Sequence, residues 1–135
     1  MARRRSIHLE GLRHGAPIPS GAVVGNLVFS SAISGRDGAS DALPAGPDEQ
    51  AAAMFRNVRR FMEAAGGTPE DIGHVTVYLR DEKYRDAVNK AWLEMFPDPH
   101  NRPARHATKA ELRSGVLFQV EVIAVLDPAK GASKP

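Results

Sequence analysis

The chain contains no cysteine, and that absence removes disulfide frameworks, thiolate zinc sites and cysteine nucleophiles. It fits a reducing compartment, and a cytoplasmic protein is expected. Hydrophobic runs are short. None approaches the roughly eighteen residues a membrane span needs, and the start, Met1-Ala2-Arg3-Arg4-Arg5-Ser6, leads into Ile7-His8-Leu9 rather than an apolar signal segment. Aromatics are scarce: five Phe, two Tyr and one Trp, none beside the Arg3–Arg5 cluster. Nucleic-acid binders usually interleave aromatics with a basic stripe, so the arginines read as a solvated terminus and nucleic acid is not an expected partner. The charge balance agrees, since 18 basic and 16 acidic residues leave only +2. The histidines at 8, 14, 74, 100 and 106 form no metal-ligand pair, and no acidic cluster accompanies them. Gly-rich phosphate loops and the Gly-x-Ser-x-Gly elbow are missing too, so the residues support neither a metal site nor a nucleotide-dependent or serine-hydrolase reading.

What is present fits one domain of 135 residues, enough to bury about two thirds of the unfolded chain's surface. A basic segment at 1–14, a domain at 15–127 and a tail at 128–135 are the expected divisions. Ala22–Val24 and Leu27–Ile33 are apolar runs separated by Gly25-Asn26, a hairpin signal. A long, mobile connection from Gly35 to Pro47 follows. Met54, Phe55, Val58, Phe61, Met62 and Ala65 recur at helical spacing before Gly66-Gly67, with Arg56, Arg59, Arg60 and Glu63 on the opposite face. Thr68-Pro69-Glu70-Asp71 marks a turn into an alternating strand, His74–Leu79. Asp81 caps a second helix with the stripe Tyr84, Val88, Ala91, Trp92, Met95 and Phe96. Ala107–Leu112 is a weak strand candidate and Val116–Leu126 a strong one.

This order gives an α+β fold with two helices on one face of a sheet. The last strand is apolar on both sides: Phe118, Val120, Val122 and Ala124 against Leu117, Ile123 and Val125. Two helices cover only one face, so a homo-oligomer is expected, with Gln119 and Glu121 sharing the second face near a subunit boundary.

The clearest binding signal is the stretch Phe96-Pro97-Asp98-Pro99-His100-Asn101-Arg102-Pro103-Ala104-Arg105. Three prolines stiffen it and deliver a guanidinium, whose planar fork matches a carboxylate. Arg102 could serve as well as Arg105.

Together with Gly25–Ser31, Asn57-Val58, Ala64–Gly67, Asp71-Ile72, Val75–Leu79, Val88-Asn89 and Val120–Val125, the Pro103-Ala104-Arg105 motif resembles the Rid family of reactive intermediate deaminases, also called YjgF, over about residues 15 to 127. The resemblance implies a chorismate-mutase-like fold and a homotrimer with clefts between subunits. It also implies that Arg105 anchors the carboxylate of a 2-imino or enamine acid while water replaces ammonia, with Ser31 and Asn89 in the cleft and no cofactor. Against that pattern, Ile18 stands where a cleft tyrosine is usual and Ala107 where a cysteine is, and Gln119 replaces a glutamate that handles the attacking water. An amide orients water but cannot take its proton. Glu121, two residues on, is either the substitute base or a carboxylate with a fixed partner. His106 is a second substitute, weakened because it should point away from Arg105. Three readings follow: an imine or enamine deaminase, a small-carboxylate-binding trimer with weak catalysis, and an RNA-directed protein.

Overall fold

A computed structural model describes residues 2–9, 16–38, 40 and 42–128. The strands are β1 (Arg4–Ile7), β2 (Gly21–Val24), β3 (Leu27–Ser30), β4 (Ile72–Leu79), β5 (Ala104–Lys109) and β6 (Phe118–Val125); the helices are α1 (Pro47–Ala65) and α2 (Arg85–Met95). They form one six-stranded sheet in the order β1-β2-β3-β6-β4-β5, with both helices on one face. All pairings are antiparallel except β4 with β5, which are parallel and joined through α2. The expected α+β architecture and the two-helix layer are therefore present. Parts of the expected segments at 1–14 and 128–135, namely residues 1, 10–14 and 129–135, lie outside the described residues.

The helix α1 starts earlier than its apolar stripe. Pro47 occupies the first turn, where a missing N–H costs nothing, and Asp48 and Glu49 complement the helix dipole. Gly66, at φ +97°, closes the other end: its N–H donates to Glu63 O and that of Gly67 to Met62 O. Phe61, Met54 and Met62 pack with Phe118, Leu79 and Ile33 into a fully buried core. Gly21 permits that closeness, because a Cβ there would collide with the Phe61 ring and the Phe29 carbonyl. Asn57, 5% exposed, ties the following layer together by donating from Nδ2 to the carbonyls of Ser34 and Arg36, which open the long connection.

Several boundaries differ from expectation, and Asp81 caps the short turn Glu82–Tyr84 ahead of α2 rather than α2 itself. The hairpin's second strand stops at Ser30, and Ile33 makes only an isolated bridge to Val120. The strand expected over 107–112 runs from Ala104 to Lys109, since its register is set by parallel pairing with β4, Val75 opposite Arg105. The arginine stretch enters the sheet: Arg4 and Arg5 belong to β1, paired with β2, and Arg5 Nη2 donates to the Ala65 carbonyl at 3.0 Å. That contact satisfies an orphan carbonyl at the end of α1.

The sheet's second face is open. Leu27, Phe29, Ile123 and Val125 are 40 to 48% exposed on it, beside half-buried Gln119, Glu121, Tyr78 and Thr76.

Candidate functional site

Arg105 is the second residue of β5. Its partner Val75 belongs to the buried row of β4, so its side chain lies on the helix-covered face, at the sheet's edge. There α2 meets it. Arg105 Nη2 donates to Asn89 Oδ1 at 2.6 Å, and the guanidinium carbon sits 4.9 Å from the centre of the Trp92 ring. Trp92 is itself braced edge-on by Phe96 at 4.8 Å and Phe55 at 6.4 Å. One hydrogen bond and one cation–π contact thus fix the head of a half-buried arginine. Its Nε and Nη1 have no hydrogen-bond partner among the described residues. Burial, then the charge of Arg85, push its proton affinity down from the ordinary value, although an arginine remains cationic at physiological pH. Among the described residues no acid pairs with it: the ion pairs of Arg85 with Glu82 and of Lys90 with Asp48 leave it out.

The two loop arginines differ in their partners. Arg102 Nε donates to Phe96 O at 2.9 Å and Nη2 to Pro97 O at 3.3 Å, tying the Pro-rich loop to the end of α2. Asp98 stiffens the same loop through Oδ1 to His100 N–H and its carbonyl to Asn101 N–H. Arg102 is tied to the backbone of its own loop, whereas Arg105 is held by side chains of α2.

The remaining candidate residues fall into separate groups. Ala107 follows Arg105 on the same face of β5 and packs against the core. Ser31 donates from Oγ to Pro19 O at 2.8 Å, which places it next to Ile18, 47% exposed. Two strands, β6 and β4, stand between β3 and β5, so this pair lies about 14 Å across the sheet from Arg105. Gln119 and Glu121 are on β6, on the opposite face from Arg105, as Tyr78 opposite Gln119 and Thr76 opposite Glu121 show. Among the described residues, Arg105 and Asn89 are the candidates joined by a hydrogen bond.

Glu121 has a fixed partner. Tyr78 donates its hydroxyl to Oε1 at 3.0 Å, and that bond, then burial and the carboxylate's charge, push the phenol up from its usual value. His106 points to the open face, opposite to Arg105, as strand alternation requires. No group of three metal-ligating side chains occurs among the described residues, and no helix there is long and apolar enough to cross a membrane.

Residue-type reasoning missed Trp92 as a partner of Arg105, because its place in an apolar stripe assigns it to the core. It also missed Tyr78 as the partner of Glu121. A usable signal existed for the first: Arg85, Asn89 and Trp92 are spaced i, i+4, i+7, one face of α2.

Comparison with known proteins agrees with this architecture. The family model described as Endoribonuclease L-PSP matches residues 16–126. A RutC family protein of Aquifex aeolicus is 31% identical over 116 residues, covering 82% of this chain and 93% of the relative. A 2-iminobutanoate/2-iminopropanoate deaminase of Dermatophagoides farinae is 28% identical over 113 residues, covering 82% and 87%. The crystal structure of RidA from an Antarctic Psychrobacter superposes with a TM-score of 0.83 at 27% identity, covering 90% of this chain and 99% of that one. Sequence motifs, sheet order and these matches together place the chain in the Rid family, also called YjgF and described as Endoribonuclease L-PSP.

Proposed function

We propose that the protein is a hydrolytic deaminase of imine or enamine intermediates of small carboxylic acids, working as a homotrimer. The observation that carries this reading is the Arg105 head: held by Asn89 and Trp92, uncompensated by any described acid, it offers free donors to a carboxylate. The name of the Dermatophagoides farinae relative, an iminobutanoate and iminopropanoate deaminase, supports the same substrate chemistry.

In this reaction the carboxylate of a 2-imino acid docks on Arg105 and an enamine first tautomerises to the imine. Water adds to the imine carbon, a proton moves to nitrogen, and the carbon–nitrogen bond breaks to release ammonia and the 2-oxo acid. Gln119 and Glu121 would approach from a neighbouring subunit, since they lie on the other face of their own sheet. Gln119 orients the water through its amide, and Glu121, already accepting from Tyr78, is the carboxylate on the same face of β6 that would receive a proton. Ser31 and Ile18 would line the same inter-subunit cleft.

A second reading, a carboxylate-binding trimer with little turnover, is favoured by one contact: the Glu121 carboxylate is occupied by Tyr78. The RNA-directed reading echoes the family description, but Arg5, part of its local support, is engaged with the end of α1. The deciding experiment measures 2-oxo acid release from 2-imino acids made in situ by an amino acid oxidase. Wild type should accelerate release and Arg105→Ala should not. Binding of 2-oxo acids without acceleration would leave the second reading in place.

A further inference from the structure

We propose that the Arg105 site selects acids carrying a second anionic group, and that Arg85 is the anchor for that group, which makes 2-imino dicarboxylic acids the preferred substrate class. The inference rests on Arg105 being a carboxylate anchor and extends it to specificity.

The geometry comes from one face of α2. Arg85, Asn89 and Trp92 follow at i, i+4 and i+7, so their side chains form a single stripe. Asn89 and Trp92 both touch the Arg105 guanidinium. Arg85 therefore stands one turn, about 5.4 Å, further along the same stripe, on the side of α2 that faces Arg105. The two cations sense each other: the charge of Arg85 lowers the proton affinity of Arg105. Like charges held side by side are an unfavourable arrangement that a bridging dianion relieves.

Arg85 is available for such a ligand. Its Nε and Nη2 both donate to a single oxygen, Oε2 of Glu82, at 3.1 and 2.7 Å. Nη1 has no hydrogen-bond partner among the described residues. The pair is exposed, with side chains 41% and 55% accessible, and an exposed pair three residues apart on a helix is weak and exchanges readily. Asp86, the other acid in this turn, lies off the stripe and is exposed. A monocarboxylate on Arg105 leaves Arg85 with Glu82; a diacid carries a second carboxylate that can exchange with Glu82 on Arg85.

The test uses two product analogues of one chain length, 2-oxoglutarate and 2-oxopentanoate, which differ in a terminal carboxylate against a methyl. Calorimetric titration of the full-length protein at fixed ionic strength should show the diacid binding about tenfold tighter, equivalent to about 1.4 kcal/mol. In Arg85→Gln the ratio of the two affinities should fall toward one. Glu82→Gln should raise it, by releasing Arg85. Equal affinities in the wild type, or a diacid preference that persists in Arg85→Gln, would overturn the proposal while leaving the carboxylate site intact. If the wild type binds neither acid, or Arg105→Ala binds both as before, the reading of Arg105 falls and this inference with it.

Discussion

Trp92 does two jobs with different parts of one ring: its edges meet Phe55 and Phe96 in the core, and its face carries the cation of Arg105. It is the chain's only tryptophan, so its emission reports on this site alone. Binding of a carboxylate to Arg105 should shift or quench that emission, and the change should vanish in Arg105→Ala. Trp92→Leu should weaken 2-oxo acid binding by about 0.5–2 kcal/mol, the range for a cation–π contact, while Trp92→Tyr retains most of it. Tyr78 makes a second test. Because its folded pKa is raised above the usual 10.0, the bond to Glu121 contributes stability that is fully present below that pH and lost as pH rises through the folded value. The melting-temperature advantage of wild type over Tyr78→Phe should therefore hold at neutral pH and shrink in strong base. Of this chemistry, Arg105 and Asn89 were legible in the sequence, because a Pro-stiffened arginine and a helix asparagine stand in the family's motifs. What Arg102 does was not legible, since its bonds go to carbonyls at the end of α2 that only the folded loop brings near.

Among the elements, the helices were readable from periodicity and the edge strands were not. The stripe in α1 and the Gly66 stop are local signals, whereas β5 starts where β4 pairs with it, a contact some thirty residues away in sequence. Likewise β1 has little apolar character, with only Ile7 buried, and exists because β2 offers it a ladder. Asn57 anchors the start of the loop after β3, and Gln50 its end through Nε2 to the Pro44 carbonyl. Asn57 supplies both donors of its amide to the Ser34 and Arg36 carbonyls and accepts from Arg60 Nη1 at 3.1 Å. Replacing this buried amide with alanine removes both bonds from the half-buried Ser34 and Arg36 carbonyls, so Asn57→Ala should lose about 1–3 kcal/mol in urea denaturation. An unchanged midpoint would show that water satisfies those groups equally well.

For the molecule as a whole, the open sheet face is the surface through which the proposed trimer would assemble. Its apolar half, Leu27, Phe29, Ile123 and Val125, is continuous across the paired strands β3 and β6, and the polar half with Gln119, Glu121 and Tyr78 continues from it along β6 and β4. Apolar side chains of this size contribute about 1.5–3 kcal/mol each when fully buried, and these are already partly covered, so four per subunit still supply several kcal/mol to an interface. A carboxylate placed among them reverses the sign, because a buried unpaired charge costs more than the apolar contact gains. Phe29→Glu combined with Ile123→Glu should therefore yield a folded monomer, seen as a single-chain mass in light scattering with the helical circular dichroism retained. The consequence for function follows from the sheet's geometry. Arg105 and the pair Gln119 and Glu121 occupy opposite faces of one chain, so they can share a substrate only across a subunit boundary. The monomeric variant should keep its Arg105, Asn89 and Trp92 cluster and still lose imine hydrolysis. Turnover surviving in a monomer would place the reaction on the helix-covered side alone and remove Gln119 and Glu121 from it.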